Sequence, residues 1–258
     1  MQIKIRSKKL KSKFIYGDFL DNKKANKLAI FLSGFSGSRE FPLLKNASNV
    51  FFKNGFNTLR FNFCNDNEDK QQRKDAPQIE DMSMSIYVAE LKNVIDRFGQ
   101  KYSQIALVGH SLGAIISILF LSKYKKYGKN IDLILWDQSL LPWKKKDADK
   151  IFTFNPQRKL YRAKHAEFAI NKTLYRELAS VKSIDVFRSL DKRACIIAAE
   201  NSGGKDAKKY FSASKNKANS RLYIIKNTSH LFNGRQAQKE LFAKTINYIE
   251  NISQNNYV

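Results

Sequence analysis

A serine flanked by two glycines is the feature of this sequence best suited to chemistry. The pentapeptide GHSLG places Ser111 between Gly109 and Gly113. An apolar run at 105–108 precedes it, and an apolar run with helical spacing at 114–119 follows it. Such a strand-turn-helix lifts a serine hydroxyl out of a sheet. Glycines two positions before and two positions after the serine leave room for the turn, because they have no side chains. The helix that begins there favours negative charge at its first turn. Ser111 is therefore a candidate nucleophile.

The elements that must position this serine follow an alternating pattern along the chain. Short apolar runs predict six strands, at 27–32, 57–63, 105–108, 131–136, 194–199 and 222–225. Apolar residues at three- and four-residue spacing predict helices at 43–52, 82–98, 112–124, 207–218 and 236–252. This alternation predicts an α/β fold with a mostly parallel central sheet and helices on both faces. The first 20 residues are compatible with an antiparallel hairpin at the sheet edge.

One segment interrupts the alternation. From about Ser139 to Leu190 the sequence shows no clear strand, and aromatic and leucine residues stand among many lysines. We predict a helical insertion at 139–190, with the core of the fold formed by 1–138 and 191–258.

The turn at Ser111, set in this alternation, resembles the α/β-hydrolase superfamily, in outline its small esterases, lipases and acyl hydrolases. The resemblance extends from the strand at Leu28 to the C-terminal helix. It implies that 139–190 is a helical cap over the nucleophile, with aromatic and leucine side chains lining an acyl or leaving-group pocket.

The resemblance also implies an oxyanion hole and a base. The segment LSGFSGS at 32–38 follows the first buried strand, where such hydrolases place a loop that donates one backbone N–H to the oxyanion. By position this donor is Phe35, and the second is Leu112, directly after the nucleophile. A nucleophilic serine needs a base, and His230 lies between the last strand and the last helix, where the family places it. His110 should point away from its neighbour Ser111.

The acid that would orient the histidine has three candidates. The family usually places it after the strand at 194–199, but the usual spacing falls near Ser202, which is not acidic. Asp206 is the first choice if that loop is longer, although it could instead cap the next helix. Asp137, at the end of the preceding strand, and Glu200, at the end of the strand itself, are the alternatives.

The resemblance thus predicts a serine hydrolase that cleaves small-molecule carboxylic esters through an acyl-enzyme. Thioesters and amides remain open as substrates of the same groups. The sequence has no HExxH, paired CxxC or Walker motif, so we expect no metal site and no cofactor.

Composition bounds the remaining possibilities. Lys and Arg number 47 against 23 Asp and Glu, a formal charge of +24. The lysines are spread along the chain without a nucleic-acid-binding motif, so we expect no specific nucleic-acid partner. A non-catalytic protein that binds an anionic polymer or membrane through its basic surface stays open as an alternative.

No apolar run approaches the ~20 residues of a membrane span. The basic first seven residues precede no apolar segment, and two cysteines are too few for a disulfide framework. We therefore expect reduced cysteines and a cytoplasmic location; the sequence does not indicate an oligomeric state.

Overall fold

The computed structural model describes residues 1–65 and 73–255. Within those residues the strands are β1 (Gln2–Arg6), β2 (Phe14–Leu20), β3 (Lys27–Leu32), β4 (Asn57–Asn62), β5 (Gln104–His110), β6 (Ile131–Trp136), β7 (Phe152–Asn155), β8 (Leu160–Ala163), β9 (Ala169–Asn171), β10 (Ala194–Ala199) and β11 (Arg221–Ile225). The α-helices are α1 (Pro42–Lys53), α2 (Met84–Phe98), α3 (Leu112–Lys123), α4 (Lys145–Ile151), α5 (Lys172–Leu178), α6 (Ser183–Ser189), α7 (Gly204–Ala213) and α8 (Arg235–Asn255).

The central sheet confirms the predicted architecture. Its strands run in the order β1-β2-β4-β3-β5-β6-β10-β11. In this order, neighbouring strands from β4 through β11 are parallel. The strand β2 pairs in the antiparallel sense with both β1 and β4, in agreement with the antiparallel hairpin expected for the first 20 residues. Because β3, β5, β6, β10 and β11 are parallel, the loops that follow them gather at one edge of the sheet. Ligands of open parallel sheets bind at this carboxyl edge.

Two apolar layers hold this sheet between helices. Helices α1 and α8 pack together on one face, and α2, α3, α6 and α7 cover the other. Every residue of β6 and β10 is buried, which explains why these strands read as unbroken apolar runs in the sequence. The indole of Trp136 at the end of β6 donates a hydrogen bond to Thr245 Oγ1 (3.0 Å), which ties that end of the strand to α8.

The segment 139–190 differs from its purely helical prediction. It contains α4, α5 and α6, but also a three-stranded antiparallel sheet in the order β7-β8-β9. These strands have four, four and three residues. Elements this short complete too few alternations for periodicity to reveal them, so the prediction of an all-helical insertion is corrected here.

None of the helices described is both long enough and apolar enough to cross a membrane.

Candidate active site

Ser111 occupies a strained turn between β5 and α3. Its backbone adopts φ 55° and ψ −118°, a combination that costs of order 1–3 kcal/mol for a residue with a side chain. A Cβ atom at Gly109 would lie 2.4 Å from the Ala114 nitrogen, and one at Gly113 would lie 2.5 Å from the Leu32 carbonyl oxygen. Both separations are far below any real contact. The turn can therefore close between strand and helix only because both positions are glycine.

The histidine after β11 pairs with the carboxylate that ends β6. His230 Nδ1 lies 2.6 Å from Asp137 Oδ2. The carboxylate also accepts hydrogen bonds from the Ala199 amide (2.8 Å), the Ser202 hydroxyl (2.7 Å) and the Gly203 amide (3.0 Å). Four donors thus surround a side chain that is 1% exposed, while the His230 side chain is 41% exposed. The carboxylate fixes the imidazole from the protein side and leaves its other edge open.

These donors determine the ionisation of Asp137. Burial acts to raise the pKa of Asp137, but the hydrogen bonds from His230, Ser202 and Ala199 together outweigh burial and leave the pKa below its ordinary value. Asp137 is therefore a carboxylate at neutral pH, and it accepts a hydrogen bond from the N–H at His230 Nδ1.

The other two predicted acids have hydrogen-bond partners other than His230. Asp206, the first choice of the sequence analysis, is on the first turn of α7, where its carboxylate pairs with Lys209 Nζ at 2.8 Å. Glu200 accepts a hydrogen bond from the Asn227 amide (3.0 Å). The last residue of β10 and the loop that follows it instead supply three of the four donors that surround Asp137. Because β6 and β10 are neighbours, either strand could have carried the acid to this edge.

Ser111 and His230 both follow strands that end at the same edge of the sheet, and no direct hydrogen bond joins their side chains. Ser111 Oγ lies 3.0 Å from the hydroxyl of Ser139, a residue that the sequence analysis did not select. The Ser111 amide donates to the Trp136 carbonyl (3.0 Å), next to Asp137. In this structure the Ser111 hydroxyl is thus paired with Ser139 and not with His230.

His110 holds the backbone of the histidine loop. Its Nε2–H donates to the carbonyl of His230 (2.9 Å), and the two imidazole rings lie 4.6 Å apart. The side chain is buried. Burial, followed by the electrostatic effect of the neighbouring His230 ring, lowers the pKa of His110 to about 4. A neutral His110 therefore supports the loop that carries His230 through this hydrogen bond.

The loop after β3 lies against Ser111. A Cβ atom at Gly34 would be 2.9 Å from Ser111 Cβ and 3.4 Å from Ser111 Oγ, so only glycine lets the backbone approach this closely. The next amide in this loop belongs to Phe35. The amide of Leu112 is at the first position of α3, where helical N–H groups have no partner within the helix. Both predicted oxyanion donors thus belong to backbone segments that adjoin Ser111.

In the part of the chain that the structure describes, no three His, Cys, Asp or Glu side chains are grouped so as to hold a metal ion.

Solved structures of other proteins resemble this chain over nearly its whole length. No protein-family model matches the chain, and no curated protein matches it in sequence. Among solved structures, Est1E from Butyrivibrio proteoclasticus with bound ferulic acid superposes with a TM-score of 0.76 at 16% identity, over 97% of this chain and 99% of that one. The alpha/beta hydrolase GrgF from a Penicillium species gives a TM-score of 0.75 at 12% identity, over 97% and 98%. The esterase domain of a Rhodothermus marinus protein gives 0.66 at 12% identity, over 94% of each chain.

The chain has the α/β-hydrolase fold. Within this fold, the strand order explains why the predicted residues share one edge of the sheet: Ser111 follows β5, Asp137 follows β6 and His230 follows β11, all at the carboxyl edge. The sequence analysis gave no role to the residues that support them, although it noted Ser202 as the usual position of the acid. Ser202 and Gly203 bind Asp137, and Ser139 binds Ser111. Their only sequence signal is position, because each lies just beyond a strand whose end reaches this edge of the α/β-hydrolase fold.

Proposed function

We propose that this protein is a serine hydrolase that cleaves carboxylic esters, with Ser111 as nucleophile, His230 as base and Asp137 as the acid that orients the base. The observation that carries the proposal is the 2.6 Å hydrogen bond between His230 Nδ1 and Asp137 Oδ2, at the sheet edge where Ser111 occupies a strained turn. With its Nδ1 proton held by a carboxylate, the imidazole has a free Nε2 that can accept a proton.

The reaction proceeds in two halves. Ser111 Oγ gives up its hydrogen bond to Ser139, transfers its proton to His230 Nε2 and attacks the ester carbonyl. The tetrahedral intermediate collapses, its C–O bond breaks, and His230 returns the proton to the departing alcohol. Water then attacks the acyl-enzyme, His230 again takes and returns a proton, and the carboxylic acid leaves with Ser111 restored.

The amides of Phe35 and Leu112 are the groups that would hold the oxyanion. The close approach of Gly34 to Ser111 supports this role for the loop, and the start of α3 adds the favourable end of a helix dipole. Removing one such donor typically costs about 3 kcal/mol of transition-state stabilisation.

An aromatic cluster supports an apolar acyl site. The Phe35 ring packs against Trp143, Phe152 and Phe168 with centroid separations of 6.2, 6.1 and 5.4 Å. These three residues belong to the segment 139–190, so the cluster joins the proposed cap to the proposed oxyanion loop. It favours acyl groups of short or medium length. An ester substrate of this kind is consistent with the similar folds of the Rhodothermus marinus esterase domain and of Est1E, whose structure contains bound ferulic acid.

The proposal is tested by comparing the wild-type protein with Ser111→Ala on a panel of aryl esters, thioesters and amides. We expect the wild type to hydrolyse the aryl esters fastest and the variant to lose this activity. Turnover by Ser111→Ala equal to that of the wild type would refute the proposal. The panel also separates the ester reaction from a thioesterase or amidase. A protein that turns over nothing and binds anionic polymer in a salt-dependent manner would fit the non-catalytic alternative.

A further inference from the structure

The loop that carries Phe35 is held at its far end by side chains of β4. The amide of Arg39, in this loop, donates a hydrogen bond to Asn62 Oδ1 (2.6 Å), and the Arg39 carbonyl accepts one from Arg60 Nη1. Asn62 is 6% exposed and is the last residue of β4, which runs parallel to β3 and therefore ends beside the loop that follows β3. Both backbone polar groups of Arg39 are thus bound by side chains of the neighbouring strand.

The loop is also closed on itself. The Ser33 hydroxyl donates to the Gly37 carbonyl (2.7 Å), and the Gly37 amide donates to the Gly34 carbonyl (3.1 Å). Between them, Ser36 has a φ of 54°, in the left-handed region that is unfavourable for a residue with a side chain. Such a backbone persists only where the surrounding structure fixes it. In a loop this compact, we expect a displacement of the anchored end to move the Phe35 amide as well.

The two arginines at this anchor already have counter-charges. Arg39 Nε and Arg60 Nη2 lie 3.6 Å and 3.5 Å from Asp18 Oδ2, and Arg39 Nε lies 4.0 Å from Glu40 Oε1. The two arginine side chains are only 3% and 8% exposed. Two cations lie against two carboxylates and are closed off from solvent, so this cluster serves the position of the loop and not the binding of a ligand.

We infer that Asn62 is a positioning residue for ester hydrolysis, because its bond to the Arg39 amide fixes the loop from which the Phe35 amide would meet the oxyanion. This inference rests on the proposed function, which makes Phe35 an oxyanion donor. The negative charge on the ester oxygen develops only in the transition state. A displaced Phe35 amide therefore weakens binding of the transition state and leaves binding of the intact ester nearly unchanged.

The test compares Asn62→Ala with the wild type in three measurements. The first is kcat/KM for phenyl butanoate. The second is Ki of butylboronic acid, whose boron accepts Ser111 Oγ to form a tetrahedral anion. The third is Kd of phenyl butanoate, measured by NMR titration on Ser111→Ala with and without the change at Asn62. We expect kcat/KM to fall about 10–100-fold, Ki to rise by the same factor, and Kd to stay within about twofold.

Two further variants separate positioning from stability. Asn62→Asp keeps an oxygen that can accept from the Arg39 amide, so it should recover most of the rate. Thr58→Val is the matched control, because Thr58 is buried in the same strand and its hydroxyl pairs with Ser48 of α1 (2.7 Å) instead of the loop. It should lower the temperature of thermal unfolding and leave all three constants unchanged. If Asn62→Ala does not fold, Asn62→Ser replaces it with the same expectations, since its oxygen falls one bond short of the Oδ1 position.

The outcomes that overturn the inference are distinct. A folded Asn62→Ala with the kcat/KM of the wild type removes any role in catalysis. A rise of Ki and Kd together marks a general disruption of the site, and an Asn62→Asp as slow as Asn62→Ala shows that the accepting oxygen is not what matters. Failure of the proposed function is recognised separately, in the wild type alone: a protein that neither hydrolyses phenyl butanoate nor binds butylboronic acid refutes it, and this inference falls with it.

Discussion

Replacing Asp137 by asparagine tests how this site fixes its base. Asp137 Oδ1 accepts from the amides of Ala199 and Gly203, and Oδ2 accepts from the Ser202 hydroxyl and His230 Nδ1. An asparagine NH₂ at the Oδ1 position would face two backbone donors that cannot turn away. The NH₂ must therefore occupy the Oδ2 position, where the Ser202 hydroxyl can rotate to accept from it and His230 Nδ1 must also become an acceptor.

The magnitude follows from this change of tautomer. With Nδ1 unprotonated, His230 carries its proton on Nε2, the nitrogen that must accept the proton of the nucleophile. Such a replacement leaves the geometry in place but lowers kcat by about 10³–10⁴-fold, or roughly 4–5.5 kcal/mol of transition-state stabilisation. We expect Asp137→Asn to fall in this range for aryl ester hydrolysis at neutral pH.

Asp206→Asn is the matched control. Its carboxylate pairs with Lys209 on the first turn of α7, and loss of an exposed ion pair of this kind costs at most about 1 kcal/mol of stability. Steady-state kinetics on both variants, with thermal unfolding to verify folding, decides the matter. The reasoning fails if folded Asp137→Asn keeps activity close to that of the wild type, or if Asp206→Asn is the variant that loses it.

Three further predictions concern the residues around this pair. Gly203→Ala would place a Cβ atom 2.4 Å from Asp137 Oδ1, so we expect it to lower stability by roughly 1–3 kcal/mol and kcat/KM by at least about tenfold. Gly204→Ala is the control, because its Cβ atom would meet nothing closer than 3.7 Å, and it should change neither quantity. Thermal unfolding and kinetic assays measure both variants, and equal effects of the two would contradict this prediction. Burial holds the pKa of His110 near 4 in the folded protein, below its ordinary 6.5. Between these two values the unfolded chain binds a proton that the folded protein does not, so the free energy of unfolding should fall by up to about 3 kcal/mol as the pH drops from 6.5 to 4. Urea unfolding across this range should show that part of the decrease in the wild type and not in His110→Asn; identical pH profiles would argue against it. Ser139→Ala frees the nucleophile from its 3.0 Å hydrogen bond, so the rate of labelling by a fluorophosphonate should rise up to about fivefold, and a fall in rate would show that Ser139 assists the reaction instead.

The sequence predicts the central sheet well because its strands are buried on both faces. The apolar runs at 27–32, 131–136 and 194–199 coincide with β3, β6 and β10 to the residue. Unbroken burial produces unbroken apolar runs, whose ends are easy to recognise. The strands β7–β9 lack this signal because each is short and partly exposed.

The choice among the three acids illustrates what a sequence alone does not contain. Asp137 and Asp206 follow neighbouring parallel strands, and spacing along the chain carries no information on which side chain turns toward His230. In the structure, contacts with residues far away in the sequence determine that Asp137 is the carboxylate that binds His230. Gly203 closes onto Asp137, and this approach depends on the absence of a side chain at a position that the sequence shows only as one of two consecutive glycines.

The central claim, a Ser111 hydroxyl activated as a nucleophile, is tested most directly by locating a covalent adduct. The wild-type protein is treated with a fluorophosphonate, digested, and analysed by tandem mass spectrometry. We predict one phosphonylated residue, Ser111, with loss of ester hydrolysis in proportion to labelling, and no adduct at this position in His230→Ala over the same period. An unmodified Ser111, or hydrolysis that persists after Ser111 is fully modified, would contradict the account.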